Sequence, residues 1–179
     1  MSTGCVIVGG GPAGMMLGLL LARAGVHVTV LEKHADFLRD FRGDTVHAST
    51  LRLLDELGLG DRFAALPHRL IESLRLSVQG VPVEVDLRHL PGAHQHIALV
   101  PQWDFLELLA DAAEREPTFT LLRNSEVLGP VLRSGRVRGV RYRDEHGVER
   151  DACIDARYAS GDVCHRHQRL APRCRRQAG

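Results

Sequence analysis

No run of apolar residues in this chain is long enough to cross a bilayer; the longest, Met15 to Ala22, falls far short of the ~20 residues a spanning helix needs. The N-terminus has no basic region ahead of its apolar segments, and glycines interrupt those segments, which argues against a secretory signal. Surplus charge is lacking too. A formal net charge of +1 gives no electrostatic reason to expect nucleic acid or an anionic membrane as partner. Only four cysteines occur, with Cys5 alone near the start and Cys153, Cys164 and Cys174 close to the end, so no secreted disulfide framework is encoded. No internal repeat is visible, and histidines between residues 27 and 146 show no metal-ligand spacing. These absences leave a cytoplasmic globular protein as the expectation, with no metal. The hydrophobic fraction of 44% and charged fraction of 25% are ordinary for such a chain.

What is present begins at the N-terminus. Cys5-Val6-Ile7-Val8 is a short β-branched run that ends in glycines and reads as a buried parallel strand. Pro12 to Ala24 is helical in composition, with proline where a first turn tolerates it and Gly25 at the C-cap. Val26 to Glu32 is again strand-like, completing a βαβ unit whose crossover should be right-handed. The connecting loop, Gly9-Gly10-Gly11-Pro12-Ala13-Gly14, is a Gly-x-Gly-x-x-Gly motif in the context the motif requires, with an acidic residue closing the next strand. Gly9 permits a tight turn, Gly11 lets backbone approach a pyrophosphate, and Gly14 allows close helix–strand packing. The diphosphate would lie over the helix N-terminus, and Glu32 would accept hydrogen bonds from an adenosine ribose while repelling a 2′-phosphate. The motif alone implies FAD or NAD.

Further on, Ser49 to Leu57 reads as a helix stopped by Gly58. Leu74 to Val78 and Val81 to Leu87 read as a hairpin around Gln79-Gly80, and Ile97 to Val100 as a strand leading into a helix opened by Pro101. Phe119 to Leu122, Ser125 to Leu132, Val137 to Arg143 and Val148 to Arg150 suggest a meander. Three blocks, VIVGGGPAGMMLGLLLARAGVHVTVLEK, RDFRGDTVHASTLRLLDELGL and ALVPQWDFLELLADAA, resemble in order those of the FAD-dependent aromatic hydroxylases, the class of para-hydroxybenzoate hydroxylase. The resemblance runs from about residue 4 to residue 150.

That resemblance implies an α/β fold: a Rossmann-like FAD-binding domain plus part of a β-meander, incomplete relative to the family. It implies that FAD is the cofactor, NADPH or NADH the co-substrate, and that O2 and a small aromatic or polyketide-type molecule react. The implied cofactor residues are Gly9, Gly11, Pro12, Ala13, Gly14, Glu32 and Lys33, with Arg42 near the pyrophosphate and Gln102 on the ribityl–phosphate stretch. A guanidinium forks onto phosphate oxygens and an amide bonds hydroxyls either way, so both residue types suit those places. No catalytic acid, base or nucleophile is identified.

The composition changes at about Asp151. From Cys153 onward the chain holds six arginines, three cysteines and two histidines but no lysine or glutamate, and no sustained apolar period. The expectation is therefore a partial FAD domain over 1–150, including the first strands of a substrate domain, and an atypical tail over 151–179. The expected strand dissolves at the boundary, which suggests a frameshifted or truncated end. Ser160-Gly161-Asp162 lacks the context of the family's later Gly-Asp motif, and Cys164, His165, His167 and Cys174 read as accidental clustering. The rival readings are an inactive FAD-binding fragment and another FAD oxidoreductase of the same fold.

Overall fold

A computed structural model describes residues 2–38 and 43–155. In chain order its elements are β1 (Ser2–Thr3), β2 (Cys5–Val8), α1 (Pro12–Arg23), β3 (Val28–Leu31), β4 (Gly43–Val46), α2 (Ala48–Glu56), α3 (Gly60–Ala64), β5 (Arg69–Ile71), β6 (Ser73–Val78), β7 (Val81–Asp86), β8 (Ile97–Pro101), α4 (Gln102–Ala113), β9 (Phe119–Leu122), β10 (Glu126–Arg133), β11 (Arg136–Arg143) and β12 (Glu149–Ile154). The expected α/β architecture is present, organised around a parallel sheet of order β2-β3-β9.

That sheet is apolar along its length because both faces are covered. Cys5, Ile7, Val28, Val30, Phe119 and Leu121 pack towards α1 and α4, while Val6, Leu31 and Leu122 meet Tyr142 and Ala152 of the β10–β12 sheet. Helix α1 buries Met15, Leu19 and Ala22 against the sheet. At Gly18 it lies so near the sheet that a Cβ would stand 2.8 Å from the Phe119 ring and 3.0 Å from Val30. The helix ends as its glycine signals: Gly25, at φ +78°, donates to Ala22, and Val26 to Leu21, which satisfies two terminal carbonyls in a Schellman motif. Gly58, at φ +68°, ends α2 in the same way.

Strands β4, β8 and β5 form a small antiparallel sheet with β8 at its centre. Strands β6 and β7 form the expected two-stranded ribbon, closed by a turn with positive φ at both Gln79 and Gly80.

Two strand assignments differ from the sequence reading. Phe119–Leu122 is not the first strand of the meander; it pairs in parallel with β3, in register Val28↔Phe119 to Leu31↔Leu122. The last strand does not dissolve at Asp151 but runs on to Ile154. There Asp151 faces out to pair with Arg141 at 2.9 Å, and the small Ala152 is fully buried between strands. The strand end then pairs with β1, Ser2↔Cys153 and Thr3↔Ile154, and Asp155 N–H donates to the Thr3 carbonyl at 2.8 Å. The tail calls, including Gly161-Asp162 and the Cys164–Cys174 cluster, lie outside the described residues.

Candidate functional site

Strands β2, β3 and β9 run parallel, so their carboxyl ends, Val8, Leu31 and Leu122, open on one edge. In open α/β sheets that edge is where ligands bind. The glycine loop leaves β2 there. Gly9 N–H donates to Leu31 at 2.8 Å, and the residue then turns at φ +100°, a conformation that suits glycine. Its carbonyl sits so close beneath α1 that a Cβ on Gly14 would lie 2.1 Å from the oxygen.

Gly11 is the N-cap of α1 in extended backbone, φ −72° and ψ 177°, and a Cβ added to it would meet nothing within 4 Å. The helix start has no side-chain cap and no acidic residue in its first turn, and Pro12 occupies a first-turn position. Ala13 is exposed and Pro12 half-buried. The first-turn N–H groups thus stand at the positive end of a helix whose N-cap residue has no side chain to answer them. The loop is closed below, at Gly14, and open above, at Gly11.

Glu32 follows β3 and is 2% exposed. One carboxylate oxygen accepts from Gly10 N–H at 2.7 Å, and the other from His34 N–H at 3.0 Å. Its own backbone donates to Leu122 and accepts from Ser125 N–H, both at 2.8 Å. The acid therefore does more than the motif suggests: it pins the glycine loop to the end of β3. Lys33 is exposed and lines an open polar cleft of about 530 Å3 with Asn124, Glu126, Arg143 and Asp144. In that cleft the Asp144 carboxyl is held below its usual range, chiefly by its hydrogen bond with Arg150.

Gln102 is the first residue of α4, half-buried, with Pro101 as its N-cap. Helix α4 leads back into the start of β9, so its own start faces the edge where β9 ends. Arg23–Glu116 at 3.3 Å and the bond from the Thr118 hydroxyl to the Ala22 carbonyl tie the far ends of α1 and α4 together. The two helix starts consequently lie on the same side of the sheet. Arg42 lies outside the described residues. Its neighbour Gly43 is the register partner of Pro101, beside Gln102.

A positioning group was not recognised in the sequence. Phe37, in the loop after Glu32, is 2% exposed, and the Arg123 guanidinium stands 4.4 Å above its ring. Arg123 also forks onto Glu107 of α4, with both N–O distances 3.2 Å. This stack ties the loop that leads towards Arg42 to the end of β9 and to α4. The available signal was an aromatic residue, Phe37, five positions after the acid that closes the second strand.

The family model described as FAD binding domain matches residues 2–162. The chain belongs to this family, the FAD-dependent aromatic hydroxylases. It is 34% identical over 139 residues to 6-methylpretetramide 4-monooxygenase of Streptomyces rimosus, covering 77% of this chain and 33% of that protein. It is 30% identical over 131 residues to p-hydroxybenzoate hydroxylase of Acinetobacter baylyi, covering 71% of this chain and 31% of that one. Among solved structures, the OxyS anhydrotetracycline hydroxylase from Streptomyces rimosus superposes with a TM-score of 0.72 at 30% identity, over 86% of this chain and 31% of that chain. The family member described here thus spans about a third of the length of the relatives it matches.

Proposed function

We propose that this chain binds FAD along the carboxyl edge of its parallel sheet, as the cofactor-binding part of an NAD(P)H- and O2-dependent monooxygenase acting on an aromatic or polyketide-type ring. The observation that carries the reading is the glycine loop, open at Gly11, closed at Gly14, and set over the uncapped start of α1. Gly9, Gly11, Pro12, Ala13 and Gly14 would hold the diphosphate through backbone N–H groups and the helix dipole. Glu32, whose carboxylate is fixed by two backbone donors, would accept from the adenosine ribose. Lys33 would flank the adenosine end, Arg42 would fork onto phosphate oxygens, and Gln102 would bond the ribityl stretch.

Bound FAD would supply the hydride-accepting and oxygen-activating chemistry. The chain's own residues orient that group and neutralise its diphosphate. The relatives' names, which include monooxygenases of tetracycline-type compounds and of p-hydroxybenzoate, support the substrate class.

A second reading, FAD binding without turnover, is favoured by one observation. The β6–β7 ribbon leaves Leu76, Val78, Val81, Val83 and Val85 exposed, whereas oxygen transfer calls for a site that excludes water. The visible spectrum of the purified protein and its turnover separate the two. A yellow protein that consumes NADPH or NADH and places an oxygen atom from O2 in an aromatic substrate supports the first reading. A yellow protein without oxygen incorporation supports the second, and a colourless protein that takes up no added FAD defeats both.

A further inference from the structure

A second cavity lies away from the cofactor edge, among α2, α3, β5 and the segment before β8, with a volume of about 240 Å3. His96 borders it at one end of β8, while Gln102 follows the other end, so about 15 Å of strand separates the two places. The cavity's floor is apolar, formed by Leu51, Leu54 and Phe63, all buried. Its rim is not. His68, His94 and His96 border it, each half-buried, with ring centroids of 5.6 Å for both Phe63–His68 and His94–His96. An apolar cavity of about 150 Å3 already accommodates a benzene ring, so this space takes one ring with a substituent.

The hydrogen-bonding state of the three imidazoles narrows the substituent. His68 Nδ1 faces the Leu66 carbonyl at 2.8 Å and can do so only as a donor, which leaves Nε2 of the neutral ring as an acceptor. His94 is committed through Nε2 to the Asp55 carboxylate. His96 makes no hydrogen bond among the described residues and can present an N–H. One acceptor and one free donor above an apolar floor match a group that both donates and accepts. A hydroxyl does so; a carboxylate would find the acceptor of His68, and a methyl would satisfy neither ring.

We propose that this cavity is a binding site for a single-ring phenol, with its ring on Leu54 and Phe63 and its hydroxyl between His68 and His96. The proposal stands apart from the cofactor reading, because none of the residues lining this cavity is among those assigned to FAD.

The test is a titration of the 179-residue chain with 4-fluorophenol followed by 19F NMR, alongside 4-fluorotoluene and 4-fluorobenzoate. The expected result is saturable binding of the phenol below 5 mM, at least fivefold tighter than either analogue and unchanged by FAD. His96→Ala should weaken it at least fivefold, and Ala64→Leu, which fills the cavity from its exposed edge, should abolish it. No saturation, equal binding of the toluene or benzoate analogue, indifference to both substitutions, or displacement by FAD would each overturn the proposal.

Discussion

A side chain added at Gly14 would sit 2.1 Å from the Gly9 carbonyl oxygen, whereas one added at Gly11 would meet nothing within 4 Å. The two glycines therefore separate folding from binding. Gly14→Ala should destabilise the protein by about 2–3 kcal/mol, because backbone rather than a flexible side chain must move, and a urea melt reads this directly. Glu32→Gln should cost about 1–3 kcal/mol: an amide can accept from Gly10 or His34 but turns N–H atoms towards the other donor. A third residue-scale outcome concerns Asp86. Hydrogen bonds from the Arg88 side chain and backbone lower its carboxyl pKa to about 2 from the model-compound 3.8. Because the folded value is the lower one, whatever stability the pair contributes is complete above about pH 4 and is lost as pH falls towards 2. A 13C titration should place the Asp86 midpoint near 2, and Arg88→Ala should return it to the usual carboxylate range.

Elements show where short-range pattern suffices and where it fails. The β2–α1–β3 unit was legible because everything that defines it is local: a β-branched run, the glycines, a proline at the helix start and Gly25 past its end. The β6–β7 turn at Gln79-Gly80 was legible for the same reason. By contrast, Phe119–Leu122 pairs with residues about ninety positions earlier, and nothing in four residues of sequence distinguishes that partner from the neighbouring β10. The continuation through Asp151–Ile154 was hidden because Asp151, on the face opposite the buried Ala152, is an ion-pairing acid that imitates a loop. Short pieces such as α3 and β5 carry too few residues for a period to show. The Phe37–Arg123–Glu107 stack makes a prediction at this scale. Arg123→Ala should weaken FAD binding several-fold by loosening the loop after Glu32 while lowering stability by no more than about 1 kcal/mol, since cation–π and exposed ion-pair contacts are each worth about that much. The exposed apolar face of the β6–β7 ribbon makes another. Leu74↔Val85, Leu76↔Val83 and Val78↔Val81 are cross-strand partners, so the protein should enhance ANS fluorescence, and Leu76→Lys with Val83→Lys should remove most of that signal.

Across the described residues, helices cover one face of a parallel sheet and the β10–β12 strands cover the other, and this arrangement leaves the carboxyl edge of the parallel sheet open. The glycine loop, Glu32, Lys33 and the start of α4 reach that edge from separate parts of the chain. The shape of the glycine loop and the acid that follows β3 were readable in advance, because both are written in a few neighbouring residues. What could not be read was how those parts are held: the carboxylate of Glu32 bonded to Gly10, and the buried aromatic of Phe37 beneath Arg123, depend on folding. The central claim is that the open side of the loop receives a diphosphate. It is tested most directly by titrating FAD into the wild-type chain and into Gly11→Val and following flavin fluorescence. Position 11 has ordinary extended backbone and empty space beyond it, so the variant should keep the wild-type circular dichroism and lose no more than about 1 kcal/mol of stability as a poorer N-cap, with FAD affinity at least tenfold weaker. Equal FAD affinity in the two folded proteins, or no binding by the wild type, would contradict it.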